Sequence, residues 1–255
     1  VAVIGLGGVG SWVVESLARS AIGHLRLVDL DDLCLTNINR QLPALSSTVG
    51  KSKVSCLAER VREISPECQV EEELAFYTAA SSDHLLDGGL DYVVDAIDSR
   101  RHKAHLIASC RDRGIPIITC GAAGGRRDPL CIEVTDLART QGDVLLSLVR
   151  RKLREEFGFP KGGGSKIRPF RIEAVYSSEA PVFPTCDGEV TARRDQASGG
   201  ARINCDTGYG AVTHLTGAFG FVAASRVVQN LAGASSTAPR PLHFSASPSE
   251  NEVSF

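Results

Sequence analysis

The chain has 255 residues, 43% of them hydrophobic and 23% charged, with a formal net charge of −2; this is the make-up of a globular protein that can bury a sizeable core, in one large domain or one plus an appendage. Its eight cysteines are scattered and contain no CxxC pair. They argue against a disulfide framework and a four-cysteine zinc site, and favour a reducing compartment.

In chain order, VAVIGL at 1–6 is a short apolar run of buried-strand type, and after its glycines Val9, Val13 and Leu17 recur at helical spacing. There is no methionine, and Val1 falls directly inside this strand, so a native N-terminal piece is expected to precede it. LRLVDL at 25–30 reads as a second parallel strand, 51–64 as a helix stopped by Pro66, and QVEEEL at 69–74 as a weaker strand. DYVVDAID gives another strand, with Ala104, Ile107 and Ala108 on the helix after it, and PIITCG and CIEVTDL follow as strands. Strands alternating with helices imply a parallel sheet covered on both faces. A helix is expected over 143–157, then a glycine-rich loop at 162–164. The stretch 168–206 reads only as irregular strand and loop, and 211–231 as a last, packed helix whose unbroken apolar stretch, 215–225, is too short for a membrane span. The tail 234–255, rich in Ser, Ala and Pro, is expected to be disordered.

GLGGVG places Gly5, Gly7 and Gly10 in a GxGxxG arrangement after a strand and before a helix. Glycines let backbone N–H groups approach a phosphate, and a helix N-terminus favours its charge. Asp29, at the end of the second strand, stands where an acidic residue would bind ribose hydroxyls. The alternative is a tight turn and nothing more. By itself the motif suits NAD, FAD or ATP. Hydride transfer needs little positive charge beyond the second strand, because the nicotinamide does the chemistry. ATP cleavage needs more, since charge building on the displaced phosphates must be met by Arg, Lys and usually Mg²⁺ on a carboxylate. Arg40 and Lys53 are suitable cations, Asn37 and Gln41 could orient them or bond the nucleotide, and Asp98 in DAIDS falls at a strand's carboxyl end. The blander reading makes Arg40 and Lys53 surface residues and Asp98 a helix N-cap.

Together GLGGVG, VDLDD, NINRQ, VGKSK and DAIDS, in this order and spacing, resemble the ubiquitin-activating-like (HesA/MoeB/ThiF) adenylating enzymes, over most of 1–140. The resemblance implies a Rossmann-like, doubly wound, mostly parallel α/β sheet with a C-terminal strand/loop and helix extension. It also implies ATP binding by Gly5, Gly7, Gly8, Gly10 and Asp29, phosphate contacts from Asn37, Arg40, Gln41 and Lys53, Mg²⁺ on Asp98, and a homodimer. The sulfur-carrier adenylases of this group usually carry two CxxC pairs, absent here. TCGAAGGRRDP, IEVTDLART, NCDTGYGA and TGAFGFVAAS resemble instead the tRNA threonylcarbamoyladenosine dehydratase branch, extending the likeness to about residue 233. That branch implies a tRNA substrate whose modified adenosine carries a carboxylate, and it places a candidate thioester cysteine at Cys205, against which stands the favoured reading of a buried or merely incidental thiol.

The expected organisation is thus one catalytic domain over 1–233, with a nucleotide-binding core at about 1–140, a substrate- or tRNA-facing part at about 141–233 and the tail at 234–255. Segment 150–171 holds eight Lys or Arg against Glu155 and Glu156, so Arg150, Arg151, Lys152 and Arg154, with Arg126 and Arg127, are the candidate tRNA contacts; a solvated charged face is the competing reading. The remaining expectations are a cytoplasmic setting, with an organellar one left open by the N-terminus, and a cysteine desulfurase-type protein as an open partner. The rivals are a carrier-protein adenylase, an NAD-dependent oxidoreductase, for which Arg40, Lys53 and Asp98 would lack a common purpose, and a nucleotide-binding scaffold without catalysis.

Overall fold

The computed structural model describes residues 1–161, 167–184, 190–191 and 210–233. Seven strands form its main sheet: β1 (Ala2–Ile4), β2 (His24–Val28), β3 (Gln69–Glu73), β4 (Val93–Asp95), β5 (Ile117–Cys120), β6 (Ile132–Asp136) and β7 (Glu173–Ser177). Their spatial order is β3-β2-β1-β4-β5-β7-β6, and all neighbours are parallel except β6 on β7. A small ribbon pairs β8 (Phe183–Pro184) with β9 (Val190–Thr191). The helices are α1 (Gly10–Ala18), α2 (Lys53–Ile64), α3 (Ser82–Leu86), α4 (Arg100–Arg113), α5 (Val144–Glu156) and α6 (Thr213–Leu231).

Strand alternation decides which face each side chain feeds. Val3, Leu25, Leu27, Val94, Ile118 and Val175 point to the core shared with α1, α2 and α6. Their neighbours in sequence, Ala2, Ile4, Val28, Val93, Ile117 and Ala174, point to the opposite core under α3, α4 and α5. The chain leaves β1 toward β2 and β3, then crosses back to place β4 on β1's other side. A crevice opens at the carboxyl ends of strands where the winding reverses in this way, and here that point lies between β1 and β4.

The expected α/β sheet is present, with shorter strands than the apolar runs suggest. Within 168–206 the main sheet gains β7, which lies between β5 and β6. Ala174 to Ser177 are all buried, and a strand covered on both faces shows no polar alternation to betray it. The other departure is β6, which turns antiparallel at the sheet edge.

Helix α6 packs against α1, and two glycines set the approach. A Cβ on Gly220 would lie 2.6 Å from Trp12 Cβ and 2.9 Å from the Val9 carbonyl, whereas one on Gly217 would meet the Trp12 ring no closer than 3.7 Å. Phe221 closes the crossing edge-on to Trp12, with ring centroids 5.8 Å apart. Among the described residues no helix is long and apolar enough to cross a membrane. The glycine-rich loop at 162–164, Cys205 and the tail 234–255 lie outside the described residues.

Candidate functional site

At the crevice the glycine loop is tight because two of its positions admit no side chain. Gly5 has φ +91°, and a Cβ there would sit 2.9 Å from the Ala96 carbonyl; one on Gly10 would sit 1.8 Å from the Gly5 carbonyl. The loop therefore lies against the Ala96–Asp98 turn and delivers the chain straight into α1. That helix starts without a side-chain cap, and the N–H groups of such a first turn are the donors an anion takes.

Asp29 links the loop to β2. Its Oδ2 accepts from the Leu6 N–H at 2.7 Å and its Oδ1 from the Asp31 N–H at 2.9 Å. Lys53, at the start of α2 and 6% exposed, places its Nζ 2.7 Å from Asp31 Oδ2 and 3.7 Å from Asp29 Oδ1. The predicted cation thus reaches the predicted ribose carboxylate, through a residue the sequence reading passed over. Asp31 is the orienting partner, and its only signal is the acidic run DLDD.

The segment 36–41 wraps over the loop. Asn37 is buried and mainly builds its own turn: its Oδ1 accepts from the Cys34 N–H at 3.0 Å, and its carbonyl accepts from the N–H groups of Arg40 and Gln41. The Arg40 stem runs over Gly8, whose missing Cβ would meet Arg40 Cγ at 3.3 Å. Arg40 Nη1 donates to the Thr36 carbonyl at 2.8 Å and to Asn39 Oδ1 at 2.9 Å. Gln41, 6% exposed, lies beside Gly7 and has a buried Oε1 with no hydrogen-bond partner among the described residues. A buried orphan acceptor is costly, and a bound ligand's donor next to the glycine loop would relieve it.

Asp98 is exposed in the turn between β4 and α4. The N-cap position of α4 is Ser99, so Asp98 is not its N-cap residue. The turn is fixed from below, where Asp95 Oδ1 accepts from the Ile97 N–H at 3.1 Å. Asp95 itself is fully buried with Lys103 at 2.8 Å and Thr119 at 2.7 Å. Burial pushes the Asp95 carboxyl up, and Lys103 and Thr119 work against that shift. This satisfied ion pair was not legible in the sequence, because Lys103 reads as one more cation in RRHK. Mg²⁺ is commonly held by one or two carboxylates together with substrate phosphates, and Asp98 is an exposed carboxylate in this turn. Among the described residues no cluster of three or more His, Cys, Asp or Glu could hold a metal without such help.

The candidate tRNA contacts divide. Arg126 is 1% exposed; it donates to the carbonyls of Glu179 and Gly142 and faces Asp143 Oδ2 at 3.4 Å. It is an internal brace, and a role on the tRNA surface is corrected on that ground. Asp143 also caps α5 and accepts from the Ala122 N–H. Arg127 is exposed beside Glu179. Arg150, Arg151 and Arg154 line an open cleft on α5 together with Lys161, Ser147 and Glu155, and Lys152 pairs with Glu156. Burial pushes the Cys110 and Cys120 thiols up to about 12, so neither is a nucleophile.

A model of the ThiF family matches residues 1–254. The tRNA threonylcarbamoyladenosine dehydratase of Escherichia coli is 46% identical over 231 residues, covering 91% of this chain and 85% of that protein. The crystal structure of the E. coli enzyme in complex with ATP aligns over the same shares of the two chains, with TM-score 0.78 and 42% identity. The sulfur carrier protein ThiS adenylyltransferase of E. coli is more distant, at 29% identity over 49% of this chain and 49% of its own length.

Proposed function

The chain belongs to the ThiF family, and on that premise we propose that it is an adenylate-forming enzyme that dehydrates N6-threonylcarbamoyladenosine beside the tRNA anticodon at the expense of ATP. The observation that carries this reading is the crevice itself: a tight glycine loop leading into α1, a Gln41 acceptor with no partner among the described residues, and Arg40, Lys53 and Asp98 on three different segments around it. A cofactor-orienting dehydrogenase site has no use for that convergence. Kinship with a dehydratase along nine-tenths of the chain, against a carrier adenylase along half, selects the substrate.

The side-chain carboxylate of the modified adenosine attacks the α-phosphate of ATP, forming an acyl adenylate and releasing pyrophosphate. A nitrogen of the same side chain then attacks the activated carbonyl, the ring closes, and AMP leaves with the former carboxylate oxygen. The net change is loss of one water. Arg40 and Lys53 meet the charge on the displaced phosphates, Asp29 orients the ribose, and the glycine loop with the start of α1 receives the phosphates. Mg²⁺, when bound, neutralises phosphate charge, and Asp98 would hold it. No protein nucleophile is required; Cys205 is the residue a thioester route would use.

In the same reading the domain runs over 1–233, the enzyme is a homodimer working in the cytoplasm, and tRNA lies along Arg127, Arg150, Arg151, Lys152, Arg154 and Lys161. Incubating the full chain with ATP, Mg²⁺ and threonylcarbamoyl-modified tRNA should yield a nucleoside lighter by one water in mass spectrometry. An unchanged nucleoside mass, with adenylation of a carrier protein's C-terminus instead, would refute the proposal.

A further inference from the structure

Asn39 lies between the residues assigned to the phosphates and has been given no role. Its carboxamide is engaged at both ends. Oδ1 accepts from Arg40 Nη1 at 2.9 Å, and Nδ2 donates to the Ala211 carbonyl at 2.9 Å, just before α6. The guanidinium can only donate and the carbonyl can only accept, so one orientation of the amide satisfies both partners. The main chain is clamped alongside. Thr213 Oγ1 donates to the Asn39 carbonyl, and Trp12 Nε1 donates to the Arg40 carbonyl at 3.1 Å. The loop that carries Arg40 is thereby tied to both α1 and the entry of α6.

We propose that Asn39 is a positioning residue: it aims the Arg40 guanidinium at the phosphate site and couples that aim to the start of α6. The inference rests on the placement of Arg40 in the phosphate site. Arg40 Nη1 commits one hydrogen to a main-chain carbonyl and the other to Asn39, so removing the carboxamide frees one of two tethers on that nitrogen. A loosened guanidinium still attracts ATP but spends less time in the reactive geometry. Such a loss falls on kcat rather than on KM.

The test is single-turnover adenylation of modified tRNA with labelled ATP, comparing the wild-type chain with Asn39→Ala, Arg40→Ala and the double variant, together with their melting curves. Asn39→Ala should lower the rate about tenfold with KM for ATP within about threefold of wild type. The double variant should be no slower than Arg40→Ala, because Asn39 acts through Arg40. A wild-type rate in Asn39→Ala overturns the proposal, and so does a further tenfold loss on the Arg40→Ala background. If Asn39→Ala slows the reaction only in proportion to a fall in melting temperature, the residue is structural and the proposal also fails. A wild-type rate in Arg40→Ala would instead sink the underlying site assignment.

Discussion

Replacing Gly220 by alanine should destabilise the protein, although glycine-to-alanine changes inside helices ordinarily stabilise. The helix-propensity gain is about 1 kcal/mol. Against it stands the crossing of α6 on α1, where the new Cβ would lie 2.6 Å from Trp12 Cβ, 2.9 Å from the Val9 carbonyl and 3.0 Å from the Val13 nitrogen. Two of those atoms are backbone and cannot rotate away, so the overpacking penalty belongs in the upper part of the usual range of about 1–3 kcal/mol. The net loss is about 1–2 kcal/mol, and at roughly 2–4 °C per kcal/mol for a chain of this size the melting temperature falls by about 2–8 °C. Gly217→Ala is the internal control: its Cβ meets Trp12 only at 3.7 Å, so it should raise the melting temperature by about 2–4 °C. Calorimetric melting of both variants, with ATP titrated into each, reads out the effect; because α1 carries the glycine loop, ATP affinity should drop in Gly220→Ala alone. Equal gains from both substitutions would show that the helices separate freely, and would refute the close crossing.

Arg40→Ala and Asp98→Ala should each lower AMP formation by about a hundredfold or more, while Cys205→Ala leaves it near wild type; quantifying released AMP separates these outcomes. Asp143→Ala strands the buried Arg126 guanidinium, and urea unfolding should show a loss of about 3–5 kcal/mol. Charge reversal by Arg151→Glu with Lys161→Glu should weaken tRNA binding and flatten its salt dependence while leaving ATP affinity unchanged, as filter binding across a salt series would reveal. Burial raises the Glu15 carboxyl, but hydrogen bonds from Arg60 and Arg19 outweigh it and hold the group below the ordinary glutamate range. A depressed carboxylate stabilises the fold above its unfolded pKa and loses that contribution as pH falls through its folded value. Glu15→Gln should therefore melt lower than wild type at neutral pH, with the gap starting to close only as pH falls below the ordinary glutamate pKa of about 4.3, a change that a pH series of melting curves would detect.

Local chemistry alone determined much of this protein. A glycine loop between an apolar run and a helical repeat dictates strand, turn and helix whatever surrounds it, since only glycine tolerates the φ of Gly5 and the carbonyl crowding at Gly10. The order and spacing of GLGGVG, VDLDD, NINRQ, VGKSK and DAIDS likewise carried the resemblance to the family, and the cations among them favoured ATP cleavage over hydride transfer. The packing of the fold settled the properties that depend on neighbours distant in sequence. Arg126 reads as a surface cation, yet it is buried against the Asp143 carboxylate, as Lys103 is against Asp95; no local pattern encodes a partner. The strand β7 was hidden because β5 and β6 cover its edges and helices its faces, erasing the alternation that marks a half-exposed strand. The bridge from Arg40 through Asn39 to Ala211 joins segments 172 residues apart, and only the folding of α6 back onto α1 could bring them within hydrogen-bonding distance.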